Sequence, residues 1–337
     1  MNAIKWEDGA VIILDQRLLP LEEIYNKYTN YIQVADSIRN MEIRGAPAIG
    51  VATGMGIALA AKNISFEDAD KFKKEMDQIF NIFAETRPTA VNLFWAIDRM
   101  KKIVESKSSI PELIKSLEEE AVKMYNEDIE INKKMGKNGS RFLDDGDIVL
   151  THCNAGSLAT VQYGTALAPV RSAIEQGKKI SVIADETRPR LQGARLTAYE
   201  LHYDKIPVKV ISDTSSGLLM RLGKVNKVIV GTDRVTSDAV FNKIGTYLVA
   251  LAAKDNDIPF YVAAPSSTLS LHETAKDVTI EQRDSTEVSN ILGKVQIVPD
   301  GVECLNYAFD ITPFRLVTGV ITEDGVFSHK ELLQKYE

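Results

Sequence analysis

From about residue 145 onward, short apolar and β-branched runs alternate with segments of helical periodicity. Strands that are apolar throughout are typical of a parallel sheet covered by helices on both faces. The pattern therefore predicts a Rossmann-like, doubly wound, mainly parallel α/β domain. A late strand at 316–322 turns at Asp324-Gly325 and precedes a terminal helix, so we expect this end to fold back on the sheet. The predicted strands are 147–151, 180–184, 208–211, 228–230 and 260–263, and the predicted helices are 157–175, 192–201, 216–222 and 243–255.

The first part of the chain has a different pattern. Residues 3–14 alternate around Asp8-Gly9, a dipeptide that favours a two-residue hairpin turn. We expect a smaller, mainly α-helical N-terminal domain over 1–140 that opens with a β-hairpin, and a Rossmann-like α/β domain over 145–337. The best linker between them is 138–146. Five segments of helical periodicity follow the hairpin, at 30–41, 47–62, 66–84, 89–106 and 110–135.

Charge and composition exclude several classes of protein. With 40 Lys and Arg against 47 Asp and Glu, the net charge of −7 argues against a nucleic-acid partner. Two cysteines are too few for a disulfide framework, and Glu7 and Asp8 stand where a signal peptide would be apolar. The least charged segment, 46–61, is shorter than the ~20 apolar residues of a membrane helix and predicts a buried, glycine-packed helix. We expect a cytoplasmic protein without a membrane partner.

Polar residues follow the predicted strands, where ligands bind in an open parallel sheet. Asp233 follows one of them, and a carboxyl group walled by apolar segments can keep its proton and act as a general acid. A helix cap or a partner for Arg234 is the alternative. Cys153 precedes Asn154–Ser157, which we interpret as a helix start that would favour the thiolate. A small buried hydrophobic side chain is the alternative for Cys153.

Three segments have the composition of anion-binding helix starts: 44–47, 154–157 and 242–246. Together they favour a small phosphorylated ligand. The glycines match neither common nucleotide fingerprint, and the four histidines lack metal-ligand spacing, so we expect neither nucleotide cofactor nor metal. Arg87 before Pro88 could also be a surface arginine, and Gln192 could simply cap the next helix.

Eight short motifs lie in order along nearly the whole chain: RGAPAIG at 44–50, TRP at 86–88, THCNAG at 151–156, ETRP at 186–189, LQGARLTA at 191–198, DR at 233–234, NKIGT at 242–246 and AFDITP at 308–313. Together they resemble the methylthioribose-1-phosphate isomerase family. That family is related to the alpha, beta and delta regulatory subunits of the eukaryotic translation initiation exchange factor.

The resemblance implies an aldose–ketose isomerase that converts 5-methylthioribose 1-phosphate to 5-methylthioribulose 1-phosphate in methionine salvage. It implies a helical N-terminal domain, a Rossmann-like C-terminal domain, a homodimer, and no metal or organic cofactor. It makes Asp233 the acid/base residue and Cys153 the group that assists the transition state. The residues implied to bind the substrate are Arg44, Gly45, Ala46, Arg87, Gln192, Asn242 and Lys243.

Two segments depart from the family pattern. The usual Asn-Gly-Asp-Val-Ala run before Asn242 is absent from 236–241, and Asn306-Tyr307 replaces the usual Asn-Pro. These changes leave the polar set intact but leave the preference for the 5-substituent open. A 5-deoxyribose 1-phosphate isomerase is therefore the second hypothesis. A ribose-1,5-bisphosphate isomerase and a non-catalytic regulatory subunit that binds a sugar phosphate or nucleotide are further alternatives.

Overall fold

The computed structural model describes residues 1–65, 68–88, 90–106 and 109–336. The chain divides into two compact units, each considered below by itself. The first contains Met1–Asn132 and Ser157–Gly164, and the second contains Lys133–Gly156 and Thr165–Glu337. The domain bounds 1–140 and 145–337 stay predictions about where independently folding parts begin and end.

The first unit opens with the predicted hairpin. Strands β1 (Ile4–Glu7) and β2 (Ala10–Leu14) are antiparallel, and both turn residues, Asp8 and Gly9, have positive φ, as a type I′ turn requires. A third strand, β3 (Tyr25–Tyr28), pairs with β2 and was not predicted, because its sequence YNKY lacks apolar alternation. The helices are α1 (Tyr31–Arg39), α2 (Ala46–Asn63), α3 (Ala69–Ala84), α4 (Val91–Ser106) and α5 (Ile110–Gly139), the last of which continues into the second unit.

Helix α2 lies at the centre of the first unit and is buried over almost its whole length. A Cβ added to Gly56 would collide with the ring of Phe83 on α3, and one added to Gly50 would lie 3.0 Å from the carbonyl oxygen of Asn92 on α4. The prediction of a buried, glycine-packed helix is confirmed. Phe66 and Thr89, at which two predicted helices begin, lie outside the described residues. No helix in the described ranges is both long enough and apolar enough to cross a membrane.

The second unit contains the predicted parallel sheet. In spatial order its seven strands are Gly325–Phe327 (β16), Gly319–Thr322 (β15), Phe260–Ala263 (β10), Lys227–Val230 (β7), Ile148–Thr151 (β4), Ser181–Asp185 (β5) and Val208–Ile211 (β6). All neighbours are parallel except the terminal β15–β16 pair. The Rossmann-like, mainly parallel fold class is confirmed, as is the return of the chain end to this sheet. The strands are β4 (Ile148–Thr151), β5 (Ser181–Asp185), β6 (Val208–Ile211), β7 (Lys227–Val230), β8 (Arg234–Thr236), β9 (Ala239–Lys243), β10 (Phe260–Ala263), β11 (Leu269–Ser270), β12 (Asn290–Ile291), β13 (Val295–Gln296), β14 (Phe309–Pro313), β15 (Gly319–Thr322) and β16 (Gly325–Phe327).

A second sheet of the order β11-β8-β9-β14 was not predicted. It places Asn242 opposite Asp310 and Lys243 opposite Phe309 in the antiparallel pairing of β9 with β14. The helix predicted over 243–255 is therefore wrong at its start, because Lys243 ends a strand. Gly245 has a φ of 105°, which no helix continues through. The helices of this unit are α6 (Ala168–Glu175), α7 (Ala198–Tyr203), α8 (Ser216–Arg221), α9 (Thr246–Asp255), α10 (Thr286–Ser289) and α11 (His329–Tyr336).

The helix predicted over 157–175 is also wrong in its first half. Only a short 3₁₀ turn, Ser157–Ala159, forms there, and the α-helix begins at Ala168. Tyr163 has a left-handed φ of 72°, and the N–H groups of Thr165 and Ala166 donate to the carbonyl of Ala155 instead of to a preceding helical turn. The strand predicted over 316–322 likewise begins only at Gly319, after a 3₁₀ turn over Phe314–Leu316.

Candidate active site

The predicted site residues of the second unit lie in the loops that leave β4, β5 and β7 and at the last two positions of β9. Cys153 follows β4, Gln192 follows β5 and Asp233 follows β7. Because β4 is parallel to both β5 and β7, these loops leave the same edge of the sheet. Direct hydrogen bonds join them, from the N–H of Cys153 to Oγ1 of Thr187 (2.8 Å) and from the N–H of Asp233 to the carbonyl of Phe241 (2.9 Å).

Cys153 is buried in a left-handed backbone conformation, with a φ of 64°. The carbonyl of Cys153 accepts a hydrogen bond of 2.7 Å from Oγ1 of Thr197. Thr187, whose hydroxyl accepts from the N–H of Cys153, also has a φ of 64°. Such residues cost about 1–3 kcal/mol each and cluster at functional sites. The interpretation of Asn154–Ser157 as a helix start is wrong, since only the 3₁₀ turn follows. The helix dipole predicted from this segment therefore does not act on the thiol.

Among the predicted site residues, Gln192 has a buried side-chain oxygen, Oε1, without a hydrogen-bond partner in the described part of the chain. Its side chain is 4% exposed. Although Gln192 immediately precedes the π-helical turn Gly193–Thr197, its side chain makes no capping hydrogen bond. The helix-cap alternative is therefore excluded. An orphaned buried amide costs about 1–3 kcal/mol, and a ligand hydroxyl would satisfy it.

Two carboxyl groups could replace Asp233 as the acid: Glu186, in the loop after β5, and Asp213, which follows β6 and bonds to that loop. Asp213 accepts hydrogen bonds of 2.7 Å from the N–H groups of both Thr187 and Arg188, one on each carboxylate oxygen. Burial raises the pKa of Glu186, and the neighbouring charge of Asp213 acts in the same direction. Asp213 thus holds the loop in place, whereas Glu186 has the shifted pKa of a candidate acid.

Asp233 is half-buried between β7 and β8. Next to it, Oγ1 of Thr232 donates to the carbonyl oxygens of Arg234 and Phe241, each at 2.8 Å. The guanidinium of Arg234 forms an ion pair of 2.9 Å with Glu273. These bonds attach the loop of Asp233 to β9, the strand that ends with Asn242 and Lys243.

Asn242 and Lys243 are both buried. Nδ2 of Asn242 donates to Oγ1 of Thr246 at 2.9 Å. The ammonium of Lys243 donates to the carbonyl of Ala308 at 2.8 Å and lies 4.5 Å from the ring centroid of Phe309. Their side chains are thus held in fixed positions at the end of β9.

The anion site predicted at the start of α9 is already filled by a side chain of the protein. The carboxylate of Asp310 accepts from the N–H of Gly245 at 2.7 Å and from that of Tyr247 at 3.1 Å. Burial raises the pKa of Asp310 to about 6, although these N–H groups, His152 and Lys243 oppose the shift. A phosphate bound here would have to use the side chains of Asn242 and Lys243 rather than the helix terminus.

His152, Asp185 and Asp213 bring potential metal-ligand atoms within 4.8 Å of one another. Both ring nitrogens of His152 are already hydrogen-bonded, to Asp185 at 2.9 Å and to the carbonyl of Ile244 at 2.8 Å. Both carboxylate oxygens of Asp213 accept backbone N–H groups. The donor atoms of this cluster are therefore engaged in holding loops.

In the first unit, Arg44, Gly45 and Ala46 lead into α2. Gly45 is the N-cap residue, with a φ of 103° and no side chain to cap the first N–H groups. A Cβ at this position would collide with the backbone of Ala159. Arg44 is buried, and Arg87 is partly buried with Nη1 at 3.0 Å from the sulfur of Met41. The helix start predicted at 44–47 is confirmed.

An acid, a thiol and an amide in loops that leave a Rossmann-like sheet, together with an ammonium at the end of β9, define a small-ligand α/β enzyme as the class of protein. The chain belongs to the Initiation factor 2 subunit family, whose profile matches residues 42–329. Over 325 residues it is 54% identical to the methylthioribose-1-phosphate isomerase of Thermosipho africanus, covering 96% of this chain and 94% of that protein. The resemblance inferred from the motifs is confirmed.

Two solved structures are similar over nearly their whole length. The 5-methylthioribose 1-phosphate isomerase of Pyrococcus horikoshii matches with a TM-score of 0.92 and 41% identity, covering 99% of this chain and 95% of that one. The translation initiation factor eIF-2B delta subunit from A. fulgidus matches with a TM-score of 0.88 and 49% identity, covering 97% and 96%.

Proposed function

We propose that this protein is an aldose–ketose isomerase that converts 5-methylthioribose 1-phosphate to 5-methylthioribulose 1-phosphate, a step of methionine salvage. The observation that carries the proposal is the 54% identity over nearly the full length of the Thermosipho africanus isomerase. The buried side-chain oxygen of Gln192, which has no hydrogen-bond partner among the described residues, supports it, because a polar ligand could satisfy this oxygen in the loop that bonds to Cys153.

The phosphate on C1 dictates the chemistry. A sugar phosphorylated on its anomeric oxygen cannot open to a free aldehyde, so the ring C1–O bond must be broken with the phosphate in place. In the proposed mechanism Asp233 protonates the ring oxygen as this bond breaks, the hydrogen on C2 moves to C1, and the C2 hydroxyl returns its proton to the Asp233 carboxylate as C2 becomes a carbonyl. The hydrogen moves as a proton through an enediolate-type intermediate or as a hydride. Cys153 assists this transfer.

The remaining predicted residues bind the substrate in this proposal. Arg87 and Lys243 carry the cationic donors that suit phosphate and sugar oxygens. Asp310 occupies the start of α9, so Lys243 supplies its charge from the end of β9. The residues assigned to substrate binding are Arg44, Gly45, Ala46, Arg87, Gln192, Asn242 and Lys243.

The deciding experiment compares kcat/KM for the 5-methylthio, 5-deoxy and 5-phospho forms of ribose 1-phosphate. The proposal expects the 5-methylthio form to be preferred. A preference for the 5-deoxy form would favour the sister isomerase. The regulatory-subunit alternative is favoured by the similarity to the A. fulgidus delta subunit. No turnover on any of the three sugars, together with co-purification of a translation initiation factor, would establish that alternative.

We also propose that the protein is a cytoplasmic homodimer. Helices α8 and α9 are neighbours and expose four leucines, one of which directly follows α8. An exposed apolar face of this kind is typical of a protein–protein interface. The four leucines are Leu218, Leu222, Leu248 and Leu251. Light scattering should give the mass of a dimer, and Leu248→Glu should shift it toward the monomer. The proposal uses no cofactor, so dialysis against a chelator should leave kcat unchanged.

A further inference from the structure

His152 connects two of the loops that carry candidate site residues. It directly precedes Cys153, and its ring is buried with both nitrogens engaged. Nδ1 lies 2.9 Å from Oδ2 of Asp185, and Nε2 lies 2.8 Å from the carbonyl oxygen of Ile244. The second oxygen of Asp185 accepts a hydrogen bond from the hydroxyl of Ser216.

These contacts fix where the protons are. A carbonyl oxygen can only accept, so Nε2 of His152 carries a hydrogen that it donates to Ile244. The remaining proton lies between Nδ1 and the Asp185 carboxylate. Burial tends to lower the pKa of His152, but the hydrogen bond and the charge of Asp185 outweigh burial and raise it. Asp185 therefore maintains the ring in the state that donates from Nε2.

The bond to Ile244 is placed where it controls the loop between β9 and α9. Ile244 directly follows Lys243, and its N–H donates to the same Ala308 carbonyl that accepts from the Lys243 ammonium. The imidazole also packs against Gly245, where an added Cβ would lie 2.9 Å from Nε2. A loop held from both sides in this way gives Lys243 a defined position.

We infer that His152 is a positioning residue: its Nε2–H bond to Ile244 holds the loop that directly follows Asn242 and Lys243 in register with the loop of Cys153. The inference rests on the proposed function for its kinetic consequence. Its structural consequence, an ordered segment over 244–247, does not depend on the reaction.

Two amide substitutions separate the roles of the two ring nitrogens. In His152→Gln the amide nitrogen can reach the place of Nε2 and keep the donor to Ile244. In His152→Asn the shorter side chain puts its amide in the place of Nδ1 and loses that donor. Asp185→Asn is a third variant. Its amide can donate to Nδ1 of a neutral His152 ring, and that ring would still donate from Nε2 to Ile244.

Each variant is assayed for KM and kcat with 5-methylthioribose 1-phosphate and for hydrogen–deuterium exchange of the amides of 244–247. We expect His152→Asn to raise KM about tenfold, because the carbonyl of Ile244 loses its donor. Hydrogen–deuterium exchange of the amides of 244–247 should also become faster. His152→Gln and Asp185→Asn should remain within about threefold of wild type in KM, with slow exchange. The matched control is His329→Asn, which removes a ring bond of 2.7 Å to the carbonyl of Ser237 and should change neither measurement.

The inference would be overturned if folded His152→Asn showed unchanged amide exchange over 244–247. It would also be overturned if His152→Gln and His152→Asn changed KM and amide exchange to the same extent. Thermal unfolding identifies any variant that has lost its fold, and Asp185→Asn then supplies the remaining comparison. If the wild-type protein turns over none of the sugars, the proposed function fails. The exchange data still decide whether His152 positions the loop.

Discussion

Gln192 allows a prediction in which stability and ligand binding change in opposite directions. Its amide oxygen is buried without a partner among the described residues. An unsatisfied group of this kind costs the folded protein about 1–3 kcal/mol. Gln192→Met keeps the length and the flexible, unbranched shape but removes the polar atoms. We therefore expect the ligand-free variant to unfold at a higher temperature, by about 1–2 °C for each kcal/mol recovered in a chain of 337 residues.

The same substitution should weaken substrate binding. If Gln192 donates to or accepts from a sugar hydroxyl, losing that bond costs about 0.5–1.5 kcal/mol, so KM should rise about three- to tenfold. The assay is a thermal melt with and without substrate, combined with steady-state kinetics. Wild type should gain more stability from saturating substrate than the variant does, because the ligand satisfies the amide only in wild type.

A second glutamine provides the matched control. The side-chain amide of Gln176 already donates to the hydroxyls of Ser140 and Ser172. Gln176→Met loses these bonds and should not raise the melting temperature. If Gln192→Met were destabilised by more than about 1 kcal/mol with an unchanged KM, Gln192 would be a structural residue and our reasoning would be refuted.

The other predictions concern catalysis, binding and pH dependence. Asp233→Asn keeps the shape but cannot deliver a proton, so kcat should fall by about two orders of magnitude with KM largely unchanged; a nearly active variant would contradict the assignment. Cys153→Ser should lose turnover but keep binding, because a hydroxyl is far less acidic than a thiol; full activity would make Cys153 structural. Arg87→Ala should raise both KM and the inhibition constant of inorganic phosphate, and unchanged values in a folded variant would exclude that role. Burial raises the pKa of Asp128 to about 7, so its ionisation opposes folding. The free energy of unfolding should therefore fall as the pH rises from about 4 to 7, and urea titrations of Asp128→Asn should show a weaker fall.

The parallel sheet could be predicted because each of its strands is a buried apolar run, a local property of the sequence. The sheet formed by β8, β9, β11 and β14 could not. Two of its strands are only two or three residues long, and β9 ends in the polar pair Asn242-Lys243. Polar residues at a strand end look like a helix start unless the pairing partner is known. Here the partner, β14, lies about 65 residues further along the chain.

The candidate site divides in the same way. The positions of Cys153 and Asp233 just after strands could be predicted, because polar residues after a strand are recognisable from local sequence, whereas Gln192 entered the predicted set through the family resemblance. The structural roles of His152 and Asp310 could not. His152 bonds to Asp185, 33 positions away, and Asp310 caps the N–H of Gly245, 65 positions away. Each of these residues acts through a partner that only the fold brings near, so no local spacing identifies it.

The contacts of the neighbouring carboxylates narrow the choice of acid. Asp185 is bonded to His152 and Ser216, and Asp213 accepts two backbone N–H groups. Both carboxylates are thus already engaged by groups of the protein itself, so neither has an oxygen available to donate a proton to a substrate. Asp213 is therefore a poor substitute for Asp233, although its position after β6 made it a candidate from sequence.

Glu186 is the carboxyl group that should be tested if Asp233→Asn stays active. Burial raises its pKa, which is the direction a general acid requires. Glu186→Gln and Asp213→Asn therefore form a matched pair at one loop. If Asp233 is the acid, Glu186→Gln should keep kcat within about threefold of wild type, whereas Asp213→Asn should lower the melting temperature by weakening its bonds to Thr187 and Arg188. A loss of about two orders of magnitude in kcat for Glu186→Gln alone, with normal stability, would transfer the role of the acid from Asp233 to Glu186.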